Sequence, residues 1–428
     1  MDAIRTNLLG TGAGRPSSAS PAAPPADTTG AAPEAASDSI TLGQAEMRAI
    51  LRGDREGDHV AWRFKAPSDS CEDPSVAPQG HVYLSDGKNC TRLDRDGTEK
   101  WHHSPGKWTP FRPQAMADGG VVWCPSGAAV EAWDEHGNAR WSWGEGVSVQ
   151  SIRPSVDDQG TVFVCVRKDN KPILAALDPA NGKEMWTAPL PMHASAPPLP
   201  DGKGGVIVRC DDDRLMSLAP GGEVRWDRPL PERLNGRPAL AADGSVWIAN
   251  DSGTLFRVSP EGEVKPMLEA RGAIRGEPLF SPDGRAYVAS FDHNVYAVEP
   301  EGGEAWHFEM PDLVEDSVAL LSDGTLLVAD RMGHLQALDP NGKPLWNETF
   351  EFPPAKMAVD RNTAYIAGRN ELVAIRAGGI QADLDLLAEA RAAGPPAPAP
   401  TVSREGEWIV VGGVRLPVKN AADHAPPA

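Results

Sequence analysis

Five charged residues hold the same place relative to a recurring proline, and their types could bind an anion. They directly precede that proline in separate copies, spaced by about forty residues or a multiple of forty: Asp73, Arg112, Arg153, Arg237 and Glu277. Arginine binds carboxylate and phosphate groups through paired, charge-assisted hydrogen bonds. If the five residues line one channel, the arginines could hold such a group. The alternative is a hydrated ring in which they pair with the two acids.

A second set of carboxylates follows strand-like segments, at positions that read as turns. The set consists of Asp211, Asp212, Asp213, Asp251, Asp292 and Asp330. Turns that project from one face would form an acidic rim suited to a basic partner or a cation. The alternative is ordinary solvation of polar turns. The run from 211 to 213 lacks the glycine and the spaced ligands of a calcium loop, so no metal site is predicted.

Recognisable catalytic motifs are missing from the sequence, which has no nucleophile elbow, phosphate-binding loop, HExxH segment or kinase signature. The cysteines are Cys71, Cys90, Cys124, Cys165 and Cys210. Their odd number and the lack of CxxC spacing indicate neither a disulfide framework nor a zinc site, and a reducing compartment fits best. Enzymatic activity stays open, but the residues favour a non-catalytic protein.

Charge and hydropathy limit the classes of partner that the protein can have. The 428 residues contain 41 Lys and Arg against 60 Asp and Glu, a net charge of −19. This balance repels phosphate backbones and anionic membranes, so we expect no nucleic acid partner. No apolar run approaches the roughly 18 residues of a membrane span, and the N-terminus does not read as a signal peptide. We expect a cytoplasmic protein without membrane insertion; export by a non-classical N-terminal signal is the alternative.

The elements that position these residues come from a repeat with a period near forty. Its landmark is a tryptophan, preceded in most copies by a glycine four residues earlier. The tryptophans in register are Trp62, Trp101, Trp141, Trp186, Trp226, Trp306 and Trp346. Gly262 keeps the register, but Pro266 takes the tryptophan position in that copy. Between landmarks, runs such as SVWIA and TLLVA alternate with turn residues and read as four short strands per copy.

Four short strands repeated about every forty residues predict an all-β fold, an eight-bladed β-propeller over residues 58–378. The last copy, 353–376, has no tryptophan strand after it, whereas the strand around Trp62 has no unit before it. Pairing the two would complete the eighth blade, so an N-terminal strand is predicted to close the ring. The landmark tryptophans are predicted to join neighbouring blades.

The segments LDPANGKEMW (177–186), VEPEGGEAW (298–306) and LDPNGKPLW (338–346) resemble the tryptophan-docking motif of the pyrroloquinoline quinone (PQQ) repeat family. The resemblance implies an eight-bladed ring with each motif tryptophan packed between blades. Quinoprotein dehydrogenases of this family carry a Cys-Cys pair, a calcium site and a secretory signal, whereas assembly lipoproteins of the BamB type begin with a lipobox. The sequence shows none of these features, so neither PQQ nor calcium is expected as a cofactor.

The favoured function is therefore a non-catalytic scaffold that binds one or more protein partners. The alternatives are a quinoprotein-like oxidoreductase or small-ligand-binding propeller that uses the arginine-lined channel, and an exported effector.

The segments outside the ring are predicted to contain both disorder and a docking element. Residues 1–40 are rich in Ala, Pro and Ser and are expected to be disordered. Short helices are predicted over 41–57 and 380–393, and a Pro-rich linker over 394–404. Residues 405–420 contain two apolar runs around Gly412 and Gly413, which read as a hairpin or as an extended peptide that adds to a sheet edge. The candidate docking residues are Trp408, Ile409, Val410, Val414 and Leu416.

Overall fold

In a computed structural model, short antiparallel strands account for the regular secondary structure of the described residues. It describes residues 59–376, except 68–70, 72–73, 88, 105–111, 125–129, 145–146, 150–152 and 355, together with the backbone of 402–405, 408–411 and 414–417. The predicted disordered tail (1–40), both predicted helices (41–57 and 380–393) and most of the predicted linker lie outside these residues.

The strands form eight consecutive antiparallel sheets, which are the blades. Blade 1 contains β2 (Ser75–Val76), β3 (Val82–Ser85), β4 (Cys90–Leu93) and β5 (Glu99–His103), and blade 2 contains β6 (Gln114–Ala115), β7 (Val121–Trp123), β8 (Val130–Trp133) and β9 (Ala139–Trp143). Blade 3 contains β10 (Ser148–Val149), β11 (Ser155–Val156), β12 (Val162–Lys168), β13 (Lys171–Leu177) and β14 (Glu184–Pro189). Blade 4 contains β15 (Leu199–Pro200), β16 (Val206–Cys210), β17 (Arg214–Leu218) and β18 (Val224–Pro229).

Blade 5 contains β19 (Ala239–Leu240), β20 (Val246–Ala249), β21 (Thr254–Val258) and β22 (Val264–Glu269), and blade 6 contains β23 (Leu279–Phe280), β24 (Ala286–Ala289), β25 (Asn294–Val298) and β26 (Glu304–Glu309). Blade 7 contains β27 (Val318–Leu320), β28 (Leu326–Ala329), β29 (His334–Leu338) and β30 (Pro344–Thr349). Blade 8 contains β31 (Met357–Asp360), β32 (Thr363–Gly368), β33 (Glu371–Arg376) and β1 (Val60–Lys65), which precedes blade 1 in the sequence.

The ring closes as predicted, because β1 supplies the fourth strand of blade 8, whose order is β1-β33-β32-β31. Its register pairs Phe64 with Leu372. His59, just before β1, stacks on Trp346 of blade 7 with ring centroids 3.8 Å apart and planes 11° from parallel. The eight-bladed, all-β fold with an N-terminal closing strand is therefore confirmed.

Each blade presents a large or branched apolar side chain at the middle of its second strand, and these residues fill the space between blades. They include Tyr83, Val122, Phe163, Trp247, Tyr287 and Tyr365, all inaccessible or nearly so. The five cysteines are buried in the same interior. Cys124 and Cys165 are core residues, and their burial raises the pKa of both thiols well above its usual range.

The register tryptophans contact the next blade around the ring. An indole Nε1–H donates to a backbone carbonyl in the following blade at 2.8–3.1 Å for Trp62, Trp101, Trp141, Trp226 and Trp306. The accepting carbonyl lies in the turn that contains the motif glycine of that blade. Trp186 likewise faces Gly222. The tryptophan of each motif therefore contacts the following blade, whereas the glycine of the same motif contacts the tryptophan of the preceding blade.

The C-terminal strands form a separate three-stranded sheet with the order β34 (Val402–Glu405), β35 (Trp408–Val411) and β36 (Val414–Pro417). The predicted hairpin thus gains a third strand. Residues 402–404, assigned to the linker, belong to this strand because they pair in register with β35. A Pro-rich composition does not reveal such pairing, which depends on the partner strand.

Candidate functional site: the central channel

The first strand of every blade lies at the centre of the ring, and the recurring proline stands at its start. Proline has no N–H group, so it fits where no ladder bond is made. It also holds the preceding residue in an extended conformation. Residues that precede the proline therefore enter the channel together, at the end where the connectors between blades arrive.

Three neighbouring cavities near the axis share lining residues. The first, of about 340 Å³, is lined by residues of six blades, among them Arg153 and Glu277. The second, of about 170 Å³, is lined by Arg153, Arg237 and Glu277, and the third, of about 330 Å³, by Arg112 and Arg237. The structure thus brings together four of the five predicted channel residues. Asp73 lies outside the described residues.

Two residues that the sequence interpretation missed, Lys356 and Asp316, complete the charge pairs of the channel. Lys356 Nζ lies 2.9 Å from Glu277 Oε2, and Arg237 Nη1 lies 3.5 Å from Asp316 Oδ2. The Glu277 backbone N–H donates to Asp316 Oδ1 at 3.3 Å. In blades 7 and 8 the position that precedes the recurring proline elsewhere holds a small residue, Ser317 or Ala355. Asp316 comes directly before Ser317, and Lys356 directly after Ala355. A search of neighbouring positions for charge would have found both.

The electrostatic potential in the channel favours the ionised form of a carboxyl group. Burial by itself would raise the pKa of Glu277, but Lys356, followed by Arg153 and Arg237, lowers it further than burial raises it. About a third of the Glu277 side chain, 33%, remains exposed to the channel. The net result is a Glu277 pKa below its ordinary value, which shows that the surrounding cations outweigh the cost of burial.

The carboxylates predicted to form an acidic rim instead hold the turns of their own blades. Asp330 has a fully covered side chain (0% exposed), pairs with His334 and accepts the backbone N–H of Asp312. Asp292 accepts from the Tyr296 hydroxyl and the Arg271 backbone N–H. These bonds to Asp292 lower its pKa below the ordinary value, against the opposing effect of burial.

The remaining members of this set differ in exposure. Asp251 pairs with Arg275 at 3.0 Å, and Asp213 accepts the Leu234 backbone N–H. Asp211 and Asp212 are exposed, although Asp212 also pairs with Arg214. Asp330 is therefore not available to an acidic rim, because its oxygens bind groups of its own turn; a rim formed by the other members stays a prediction. In the described part of the chain, no three His, Cys, Asp or Glu side chains are grouped to hold a metal ion.

Comparison with known proteins places the chain in a family. A family model described as "Outer membrane protein assembly factor BamB" matches residues 117–220 and 212–385, more than half of the chain. The chain belongs to this family of PQQ-like propellers. A search of curated proteins finds no match.

Solved structures share the fold of this PQQ-like propeller at low sequence identity. BamB from Moraxella catarrhalis is 15% identical, with a TM-score of 0.60, over 74% of this chain and 99% of that one. Sqt1 from Saccharomyces cerevisiae is 10% identical, with a TM-score of 0.62, over 75% and 99%. A quinohemoprotein alcohol dehydrogenase from Pseudomonas putida HK5 is 13% identical, with a TM-score of 0.55, over 75% and 76%. At these identities the likeness shows the fold alone.

The C-terminal sheet of this PQQ-like propeller has one strongly apolar face. Side chains alternate between faces along a strand, and directly paired residues share a face. The register places five aliphatic residues and one arginine together: Val402, Arg404, Ile409, Val411, Val414 and Leu416. Trp408 and Val410 fall on the opposite face. The sequence-predicted docking residues are therefore divided between two faces. The described residues contain no helix that is long and apolar enough to cross a membrane.

A Glu277→Gln variant of this PQQ-like propeller is expected to lose about 1 kcal/mol of unfolding free energy near pH 7. Because the folded-state pKa of Glu277 is depressed, its ionised form stabilises the fold above the ordinary value of 4.5 and loses this effect as pH falls through the folded-state pKa. The difference between variant and wild type should therefore shrink below pH 4.5. Urea unfolding at several pH values measures it, with Glu301→Gln in an exposed turn as control. A pH-independent difference would contradict the prediction.

Proposed function

We propose that this PQQ-like propeller is a non-catalytic scaffold that binds a protein partner, with the C-terminal sheet as a docking element. The observation that carries the proposal is the apolar face of that sheet, in which five of six positions are aliphatic. The description of the matching family model, an assembly factor, supports the same class of function.

An isolated sheet of this size needs a covering surface. Its three strands have four residues each, and sheets so small are marginally stable in water unless their apolar face is packed. Burying each aliphatic side chain contributes about 1.5–3 kcal/mol. A partner that covers Ile409, Val414 and Leu416 would therefore stabilise the sheet as it binds.

The length of chain between the ring and the sheet sets an upper limit on the distance between them. Residues 377–401 separate β33 from β34, and a chain of that length spans at most about 80 Å when fully extended. A docking element on such a tether can bind a partner while the ring makes contacts of its own, which increases the overall affinity.

The test compares the two faces of the sheet. Leu416→Glu puts a charge on the apolar face, whereas Val410→Glu makes the same change on the other face. Proteins captured by wild type should be lost with Leu416→Glu and with residues 1–395, by at least about tenfold in quantitative pull-downs. They should be retained with Val410→Glu. A truncated chain of residues 1–395 that keeps every partner and its stability would overturn the proposal.

The location we propose is the cytoplasm. It is supported by Cys90, Cys124, Cys165 and Cys210, which form no disulfide, the state typical of a reducing compartment. Cell fractionation with antibody detection tests it; recovery of the full-length protein from the periplasm or medium would favour the export alternative.

A further inference from the structure

Cations outnumber carboxylates around the mouth and interior of the channel, although the whole chain is strongly acidic. The three axial cavities are lined by six cationic residues: Arg112, Arg153, Arg237, Arg275, Arg331 and Lys356. They are also lined by four carboxylates: Glu277, Glu315, Asp316 and Asp330. Among the described residues, the lining thus carries two net positive charges, in a chain whose net charge is −19.

The carboxylates of the lining are already engaged. Glu315 Oε2 lies 2.7 Å from Arg331 Nη2. Glu277 pairs with Lys356, and Asp316 pairs with Arg237. Asp330 pairs with His334, and its oxygens accept hydrogen bonds from backbone N–H groups of its turn. Added negative charge would therefore meet a positive field, which a cleft with low-dielectric walls concentrates.

The depressed pKa of Glu277 reports this field from inside the channel. A carboxylate there remains favoured in its ionised form although burial opposes it, because Lys356, Arg153 and Arg237 act together. A second carboxylate brought to the mouth would approach Arg112 and Arg237, which line the same 330 Å³ cavity.

The distribution of the cations suits an extended ligand with several carboxylates. Arg112 leads into blade 2, Arg153 into blade 3, Arg237 into blade 5 and Lys356 into blade 8, whereas Arg331 lies on a turn of blade 7. The cationic groups are thus spread around the ring. Five of the six line the 330 Å³ cavity, whereas Arg153 lines the other two cavities, so a ligand that meets all six must extend beyond one cavity.

We propose that the channel mouth binds an acidic peptide segment, with Arg112, Arg237 and Lys356 as the groups that receive its carboxylates. The inference rests on the proposed scaffold function, since such a segment would belong to the partner protein. Arg112 and Arg237 act here as binding residues, and peptide carboxylates would bind in addition to the present partners, so that the Arg237–Asp316 and Lys356–Glu277 pairs are kept.

The experiment measures fluorescence anisotropy of a fluorescein-labelled oligoglutamate peptide with the full chain. The test variant is Arg112→Gln with Arg237→Gln. The matched control is Arg140→Gln with Arg257→Gln, because these arginines pair with Asp118 and Asp243 at turns on the opposite face of the ring. Both variants change the net charge equally. Circular dichroism melting establishes that each is folded.

We expect binding that weakens as salt rises to about 0.15 M. The channel variant should raise the Kd about tenfold or more, whereas the control should change it less than about twofold. Equal effects of both variants, or no peptide binding at low salt, would overturn the inference. Thermal stabilisation by citrate or inorganic phosphate without peptide binding would also overturn it, in favour of a small-anion site.

The outcome is separable from that of the proposed function. Leu416→Glu leaves the channel intact, so it should bind oligoglutamate like wild type. If oligoglutamate does not bind while Leu416→Glu still loses partners in the pull-down, the scaffold function stands and the channel inference fails.

Discussion

Replacing Trp226 with alanine is expected to lower the free energy of unfolding by about 3–5 kcal/mol. The indole is only 6% exposed and belongs to the apolar cluster between blades 4 and 5, with Leu230 and Phe256. Its Nε1–H donates to the Pro260 carbonyl at 2.8 Å. The substitution removes the ring that joins the blades and leaves a cavity that the sheets on either side cannot close. Urea unfolding followed by far-ultraviolet circular dichroism measures the change.

Val224→Ala is the matched control, because Val224 lies two residues earlier on the same strand and is 52% exposed. Its effect should stay within about 0.5 kcal/mol. Trp226→Phe keeps an aromatic ring but loses the hydrogen bond, so it should fall between the two. If Trp226→Ala were no more destabilising than Val224→Ala, the tryptophan would not be joining the blades.

Replacing Gly182 with alanine is expected to cost about 2–5 kcal/mol, the sum of two effects. Its φ of +69° is a conformation that costs an L-residue about 1–2 kcal/mol. In addition, a Cβ atom there would lie 2.5 Å from Cε3 of Trp141, so the indole must move, and overpacking of this kind costs about 1–3 kcal/mol. The same unfolding experiment measures the sum.

Gly202→Ala separates these two effects. Gly202 has nearly the same backbone angle, a φ of +68°, but a Cβ atom there would meet nothing within 4 Å. Its substitution should cost only the conformational part, about 1–2 kcal/mol. Equal losses for Gly182→Ala and Gly202→Ala would show that the glycine is needed for its backbone angle alone and not to seat the tryptophan.

The blade with an altered landmark shows how far a sequence pattern predicts packing. Pro266 occupies the tryptophan position of blade 5, and proline cannot provide the indole donor. The structure fills the gap with Met267, whose carbonyl accepts the Gly303 N–H at 2.8 Å and whose side chain faces Gly302. The glycine register predicted a blade here, but the substitute contact could not be read from the pattern. It depends on the bulge that shifts the register of β22 against β21.

The acidic candidates differ in exposure for a related reason. The sequence places Asp330 and Asp212 alike, after a strand and before the next. The structure buries Asp330 in hydrogen bonds with its own turn and leaves Asp212 exposed. Whether a turn carboxylate faces water or caps backbone N–H groups depends on the connector that packs beside it.

The sequence by itself determined the all-β class, the eight blades and the strand that closes the ring. These properties follow from local chemistry repeated along the chain: alternating apolar runs, proline at the first strand, and glycine four residues before tryptophan. Only the tertiary structure decided which charges share the channel. Glu277 with Lys356 and Arg237 with Asp316 are pairs between blades that are not consecutive around the ring. Such pairs arise because ring closure brings the first strands to one axis, and no spacing along the chain encodes which of the residues there will meet.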